Sequence, residues 1–190
     1  MASMSVEQIL KRWKKADAKK EEWREIYQEA YEYALPMRNL YNYYETDRPG
    51  KNKMDKIFDS TAISSTQAFA NKLQSTLFPP YRNWCRLEPG TRIPEESRAA
   101  VQQVLDLYLV EMFNVMKQSH FDESVGEFLL DLAVGTAVMF IEKGNALEPI
   151  RFTTVPAFLC AFEEGPHGTI ENVYRRVRMR PDLIQRQYPD

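Results

Sequence analysis

Cysteine and histidine are scarce in this 190-residue sequence, two of each, and each scarcity narrows the chemistry. Cys85 and Cys160 stand 75 positions apart with no CxxC spacing. That supports neither a disulfide framework nor a zinc knuckle, and it fits a reducing compartment. The two histidines, His120 and His167, leave few general bases, and lone histidines are more often structural or solvated than catalytic. An excess of charge of one sign is missing as well: 25 Lys+Arg face 27 Asp+Glu, for a net charge of −2. A protein that grips nucleic acid freely carries a strong basic excess, so any DNA contact here is local or geometric. Long apolar runs are also absent. The longest clean one, residues 132–141, holds ten residues, against the roughly 18 needed to cross a bilayer, so no membrane span is expected. The opening MASMSVEQILKRWKKADAKK has no apolar core of signal-peptide length and turns basic where such a core belongs.

Local catalytic signatures are missing too. The sequence contains no GxGxxG, GxxxxGK(S/T), GxSxG or HExxH, so the nucleotide-binding, hydrolase and zinc-protease readings lose their motifs. The acid pairs Glu95 with Glu96, Asp122 with Glu123 and Glu163 with Glu164 are sequence neighbours. Neighbouring side chains point apart on helix and strand alike and build no shared acid/base site unaided. The sequence therefore assigns no catalytic residue, no cofactor and no metal ligand. What it does contain is 44% hydrophobic and 27% charged residues, enough for a buried core in one sizeable domain or two small ones.

A long amino-terminal helix is expected. Ser5 with Gln8 makes a capping box, Pro36 closes the element, and between them Val6, Ile9, Leu10, Trp13, Ala16, Trp23, Ile26, Tyr27, Ala30 and Ala34 recur at three- and four-residue steps. Lys19 and Lys20 interrupt that stripe. Glu7 to Lys11, Asp17 to Lys20 and Glu21 to Arg24 are acid-before-base pairs suited to a solvated face. A helix laid against a neighbouring subunit is the other reading. Residues 37–56 lose all period around Pro49-Gly50 and read as a long connection. Its Tyr41, Tyr43 and Tyr44, beside Arg38, Arg48, Lys51 and Lys53, either fold back on their own domain or meet a partner, a neighbouring subunit or stacked bases.

Three more helices follow. Asp59 or Ser60 caps the first, whose stripe is Phe58, Ala62, Thr66, Phe69, Leu73 and Leu77; small residues crowd its other faces and would allow close approach of another element. Trp84 begins WCRLE, which alternates like a short strand. Pro94, Glu95 and Glu96 open a strong helix whose wide apolar face, Val101, Val104, Leu105, Tyr108, Leu109, Met112, Phe113, Val115 and Met116, implies burial on several sides. Its Met and Phe cluster reads as core. Ser119 with Asp122 suggests a capping box for a helix that turns Val125, Phe128, Leu129 and Leu132 inward and ends at Gly135.

Beyond Gly135 the period changes to that of strands. Residues 136–142 pair with 150–155 around Gly144-Asn145, and residues 158–162 pair with 170–179 around Gly165 to Gly168. Helices followed by a small antiparallel sheet make an α+β fold. On the last strand Tyr174, Arg176, Arg178 and Arg180 share one face, since side chains alternate. That cationic row suits phosphates or an acidic partner, or is a solvated sheet face. Pro181 opens a final helix.

Residues 57–87, IFDSTAISSTQAFANKLQSTLFPPYRNWCRL, resemble the opening region of the head-to-tail connector (portal) proteins of short-tailed bacteriophages. The shared elements are an IFDSTA start, a small-residue helix with a late leucine, a proline and an aromatic-led short segment. Residues 119–144, SHFDESVGEFLLDLAVGTAVMFIEKG, resemble the same family in a helix with a D-L pair, a glycine and a strand. The resemblance implies a structural virion protein without catalytic residues. It implies a homo-oligomeric ring, dodecameric in this family, at one capsid vertex, assembled in the host cytoplasm, with double-stranded DNA packaged and ejected through its channel. The implied partners are the capsid protein, the terminase, and then tail or adaptor proteins. Residues 1–56 would be an amino-terminal helix with a Tyr-rich connection, and 57–190 a wing-like α+β domain, with stem and clip regions expected beyond Asp190. The competing reading is a nucleic-acid-binding or adaptor module that uses the local basic strand.

Overall fold

The computed structural model describes residues 4–38, 57–177 and 179–188. Its first helix, α1 (Val6–Glu21), starts at the expected capping box: the Gln8 amide donates to Ser5 Oγ at 3.3 Å and the Ser5 amide donates to Gln8 Oε1 at 3.0 Å. The expected single helix is two. The chain breaks at Glu22 and Trp23, just after Lys19 and Lys20, where the Trp23 amide donates to the Lys20 carbonyl at 3.0 Å. Past that turn α2 (Arg24–Ala34) runs to the buried Leu35 and to Pro36, which starts a 3₁₀ turn, Pro36–Arg38. The break has a tertiary reason. α1 packs on a strand near the carboxyl end, whereas α2 reaches two other helices. Two of the three expected ion pairs on this face form, Asp17 with Lys20 at 2.6 Å and Glu21 with Arg24 at 3.3 Å.

Helix α3 (Thr61–Leu77) packs against α5 (Phe121–Val134). Asp59 Oδ1 accepts from the Thr61 amide at 2.9 Å and its hydroxyl at 2.7 Å, bracing the helix start. The buried side of α3 keeps only part of the expected stripe: Leu73 packs on the core, whereas Phe58 is 99% exposed, and Phe69 and Leu77 are about half exposed. Instead Ala70 lies against Val125 and Leu129, with Leu73, Phe78, Phe121, Phe128, Leu130 and Met139 around them. A methyl side chain lets the two backbones approach, and Gln74 on the same side donates to the Asp122 carbonyl at 2.8 Å. Of the small residues only Ala70 is buried; Ala62, Ser64, Ser65 and Ala68 are exposed, while Thr66 and Leu73 of the stripe are half-buried.

Residues 84–88 form no strand, and no strand among the described residues pairs with them. Trp84 serves as an anchor instead, stacked on Phe121 at 5.8 Å and edge-on to Phe78 at 5.0 Å and Phe113 at 5.6 Å. Helix α4 (Glu95–Gln118) begins after Pro94 and buries Leu109, Phe113 and Met116 near its carboxyl end. It is not buried on several sides within the chain: Val104, Leu107, Tyr108 and Val110 are 49%, 72%, 64% and 57% exposed. The capping box expected at Ser119 is also absent. His120 is the cap residue of α5, in left-handed conformation at φ 52°, and the fully buried Ser119 turns its Oγ to accept from the Ile150 amide at 3.2 Å.

Both expected hairpins form, as two two-stranded antiparallel sheets, but residues 158–159 belong to a 3₁₀ turn and the last strand ends at Arg175 short of the expected 179. β1 (Ala137–Lys143) pairs with β2 (Ile150–Pro156), Phe140 facing Thr153. A Cβ on Gly144 would come 1.8 Å from the Glu148 carbonyl oxygen, so this hairpin demands glycine there. A 3₁₀ turn, Ala157–Leu159, leads to β3 (Cys160–Glu164), which pairs with β4 (Ile170–Arg175) with a register shift at Glu163 and Glu164. α1 lies on β3, while α5 carries β1 and β2. The last helix, α6 (Pro181–Gln187), has its proline in the first turn. The architecture is α+β.

Candidate functional site

The residues singled out from the sequence are not gathered into one site. Tyr41, Tyr43, Tyr44 and Arg178 lie outside the described residues. β4 stops at Arg175, so the cationic row is not completed as a strand. Arg176 follows directly, its amide donating to the Leu159 carbonyl at 2.9 Å. Arg180 caps α6 and sits 3.5 Å from the Asp182 carboxylate.

Arg176 instead borders a groove of about 470 Å³ at the bend between α1 and α2. Trp23, Tyr27, Phe158 and Phe162 supply its apolar wall, and Lys19, Lys20, Arg24, Glu21 and Glu164 its rim. The helix break creates it, because the turn at Trp23 swings α2 away from the strand that α1 covers. The cations on the rim already have carboxylate partners: Lys19 meets Glu164 at 2.8 Å, Lys20 meets Asp17 at 2.6 Å, and Arg24 meets Glu21 at 3.3 Å. Mixed charge of this kind presents a phosphate with little net field.

Two polar clusters lock the amino-terminal helices to the rest. On α1, Arg12 Nε donates to both oxygens of Glu163, at 2.8 and 3.0 Å, and Glu163 also accepts from the Tyr174 hydroxyl at 2.9 Å and Asn172 at 3.1 Å. The hydrogen bond from Arg12 holds the Glu163 carboxyl below its ordinary pKa, and those from Tyr174 and Asn172 add to it. Desolvation, then the bond to that carboxylate, pushes the Tyr174 phenol up. Beyond α2, Arg38 reaches the fully buried Asp131 of α5, which also accepts from the Tyr31 hydroxyl at 3.0 Å. Sequence reading missed this pair. Its signal was there in FLLDLAV, where one carboxylate interrupts an apolar helix face, a residue almost never fully buried unless paired.

The thiols and histidines stand apart from these clusters. Cys160 is fully buried, and burial pushes its thiol pKa up to about 11, which keeps it protonated at neutral pH. His120 is exposed, 3.7 Å from Glu123, and His167 lies in the exposed turn between β3 and β4. Among the described residues no group of three or more His, Cys, Asp or Glu is placed to hold a metal ion, and no helix is long and apolar enough to cross a membrane.

Among the described residues, apolar side chains also stand exposed. Val104, Leu107 and Tyr108 of α4 lie opposite its buried Leu109, Phe113 and Met116, given the turn of about 100° per residue. Val6 and Leu10 of α1 are 72% and 48% exposed on another side of the molecule. Exposed apolar faces of this kind mark interaction surfaces. Compared with known proteins, residues 6–190 match the family model described as bacteriophage head to tail connecting protein. No curated protein matches the chain.

Proposed function

Since that match spans nearly its whole length, the chain belongs to the bacteriophage head-to-tail connecting proteins, and we propose that it is the portal subunit: one of a ring of identical copies at a single capsid vertex. It is a structural component of the phage virion that joins head to tail. In this reading the ring first docks the terminase while double-stranded DNA is packaged, then binds tail or adaptor proteins, and DNA leaves through its channel at ejection. Assembly into the capsid shell takes place in the host cytoplasm, and the ring is a dodecamer.

The observation that carries this reading is the exposed apolar face of α4, which a lone subunit leaves in water. Ring closure demands head-to-tail contacts between two different faces of each copy, and covering such a face is what assembly accomplishes. The near-neutral charge is compatible with sliding DNA. A channel that gripped phosphates through many lysines and arginines would hold the duplex through counterion release.

Electron-microscopy class averages of the protein from virions or from expressed full chains, with intact mass on the same sample, test the proposal. Rotationally symmetric rings with a central channel are the expected result. A protein that stays a compact monomer at all concentrations overturns it.

A further inference from the structure

Two exposed faces of the subunit match in pattern and oppose in charge. On α4, Glu111 stands one turn beyond Leu107, and Glu96 lies on the same side of the helix as Val104 and Leu107, whereas Arg98 and Lys117 fall elsewhere. On α1, Lys14 continues the row of Val6 and Leu10 one turn further, and Lys11 flanks it. α1 carries six Lys and Arg against three Asp and Glu; α4 carries four Asp and Glu against two Lys and Arg. Lys11, Lys14, Glu96 and Glu111 form no ion pair among the described residues.

We infer that α1 of one copy docks through Val6, Leu10 and Lys14 onto the Val104, Leu107, Tyr108 and Glu111 face of α4 in a second copy. This rests on the reading of the chain as a ring subunit and names the faces that build the ring. α1 rests on β3 and α4 rests on α5, so the two faces belong to different parts of the molecule. A contact between unlike faces leaves one of each open on every added copy and therefore propagates until the rotation closes. Apolar rows supply the burial, and the opposed charges select orientation: α1 against α4 brings lysines to glutamates, whereas α4 against α4 brings glutamates to glutamates.

The test uses full chains in which Cys85 is replaced by serine. Sedimentation velocity and mass photometry then compare K14E, E111K and the double variant. Either single substitution is expected to raise the concentration needed for assembly by about tenfold or more, and the double variant to restore it, since juxtaposed like charges oppose docking. Copies carrying Leu10→Cys, mixed with copies carrying Leu107→Cys, are expected to yield a crosslinked pair with a short bifunctional maleimide. Leu10, Lys14, Leu107 and Glu111 are exposed and Cys85 is partly covered, and far-UV circular dichroism of each variant checks that the helices remain. Rings that form normally in every variant, with no crosslink between the mixed copies, overturn this interface while leaving the portal reading standing. Failure of the unsubstituted chain to assemble at all overturns both.

Discussion

The Arg38 guanidinium grips the Asp131 carboxylate with two hydrogen bonds, Nε to Oδ1 at 3.1 Å and Nη2 to Oδ2 at 2.8 Å. Asp131 has no exposed surface, and Arg38 retains 21% of its side-chain exposure while also meeting Glu127 at 3.1 Å. A buried charge in the last turn of α5 is tolerable because its partner arrives from the turn after α2, 93 positions earlier. Paired, the two groups are close to neutral for stability; separated, the buried one is expensive.

Arg38→Met is therefore expected to destabilise the fold by about 3 kcal/mol, because it leaves the Asp131 charge buried with only the Tyr31 hydroxyl. Asp131→Asn in the same chain should recover part of that loss by removing the charge. Urea denaturation of the single and double variants measures both. A single variant within experimental error of the parent would mean that Asp131 is hydrated rather than enclosed.

The Glu163 cluster gives a pH dependence with a defined sign. The folded-state pKa of Glu163 lies below its ordinary value of 4.5. Its stabilising contribution is thus fully present above the unfolded value and is lost as pH falls through the lower folded value. Glu163→Gln should lower the melting temperature at neutral pH, and the difference from the parent should shrink as pH falls below about 4.5. A constant difference down to pH of about 2 would show that the carboxylate charge is not what Arg12 recognises.

Cys160 and Cys85 should differ in reactivity. Cys160 is 0% exposed with a thiol pKa pushed up to about 11, whereas Cys85 is only partly covered. Maleimide labelling followed by intact mass should add one label to the native protein and a second only after denaturation. Equal labelling of both in the native state would contradict the packing of β3 against the 3₁₀ turn before it.

Core and interface leucines should separate cleanly in the unassembled subunit. Leu129 is 1% exposed between α3 and α5, and Leu107 is 72% exposed on α4. Leu129→Ala should cost about 3 kcal/mol, from lost transfer energy and a cavity. Leu107→Ala should stay within about 0.5 kcal/mol of the parent, as surface substitutions do. Thermal melts at concentrations below assembly distinguish them.

Local chemistry was legible in the residues. The Ser5 and Gln8 capping box, the end of α5 at Gly135, the hairpin around Gly144 and the proline that opens α6 all stand where side-chain chemistry and backbone freedom within a few positions require them. The family was legible too, through two segments whose order of residues resembles head-to-tail connectors. The misreadings share a cause. Asp122, three residues on, suggests Ser119 as a cap, but the Ile150 amide, 31 positions away, takes its hydroxyl. Residues 84–88 alternate like a strand, yet Trp84 is claimed by three aromatic rings from α4, α5 and the end of α3.

The sequence by itself determined the capping box, the proline and glycine helix boundaries and both hairpin turns, since capping and turn formation act over three or four residues, whereas the break between α1 and α2 and the missing strand at 84–88 came from distant contacts. Only the tertiary structure decided which face each helix buries. α3 has an apolar stripe and several small residues, and α5 takes Ala70 of the one set with Leu73 of the other while the remaining small residues stay exposed. α4 has apolar side chains on more than one side, and the subunit covers only the side that carries Leu109, Phe113 and Met116. Periodicity records that a face is apolar; what covers it depends on residues far away in the chain, or in another copy.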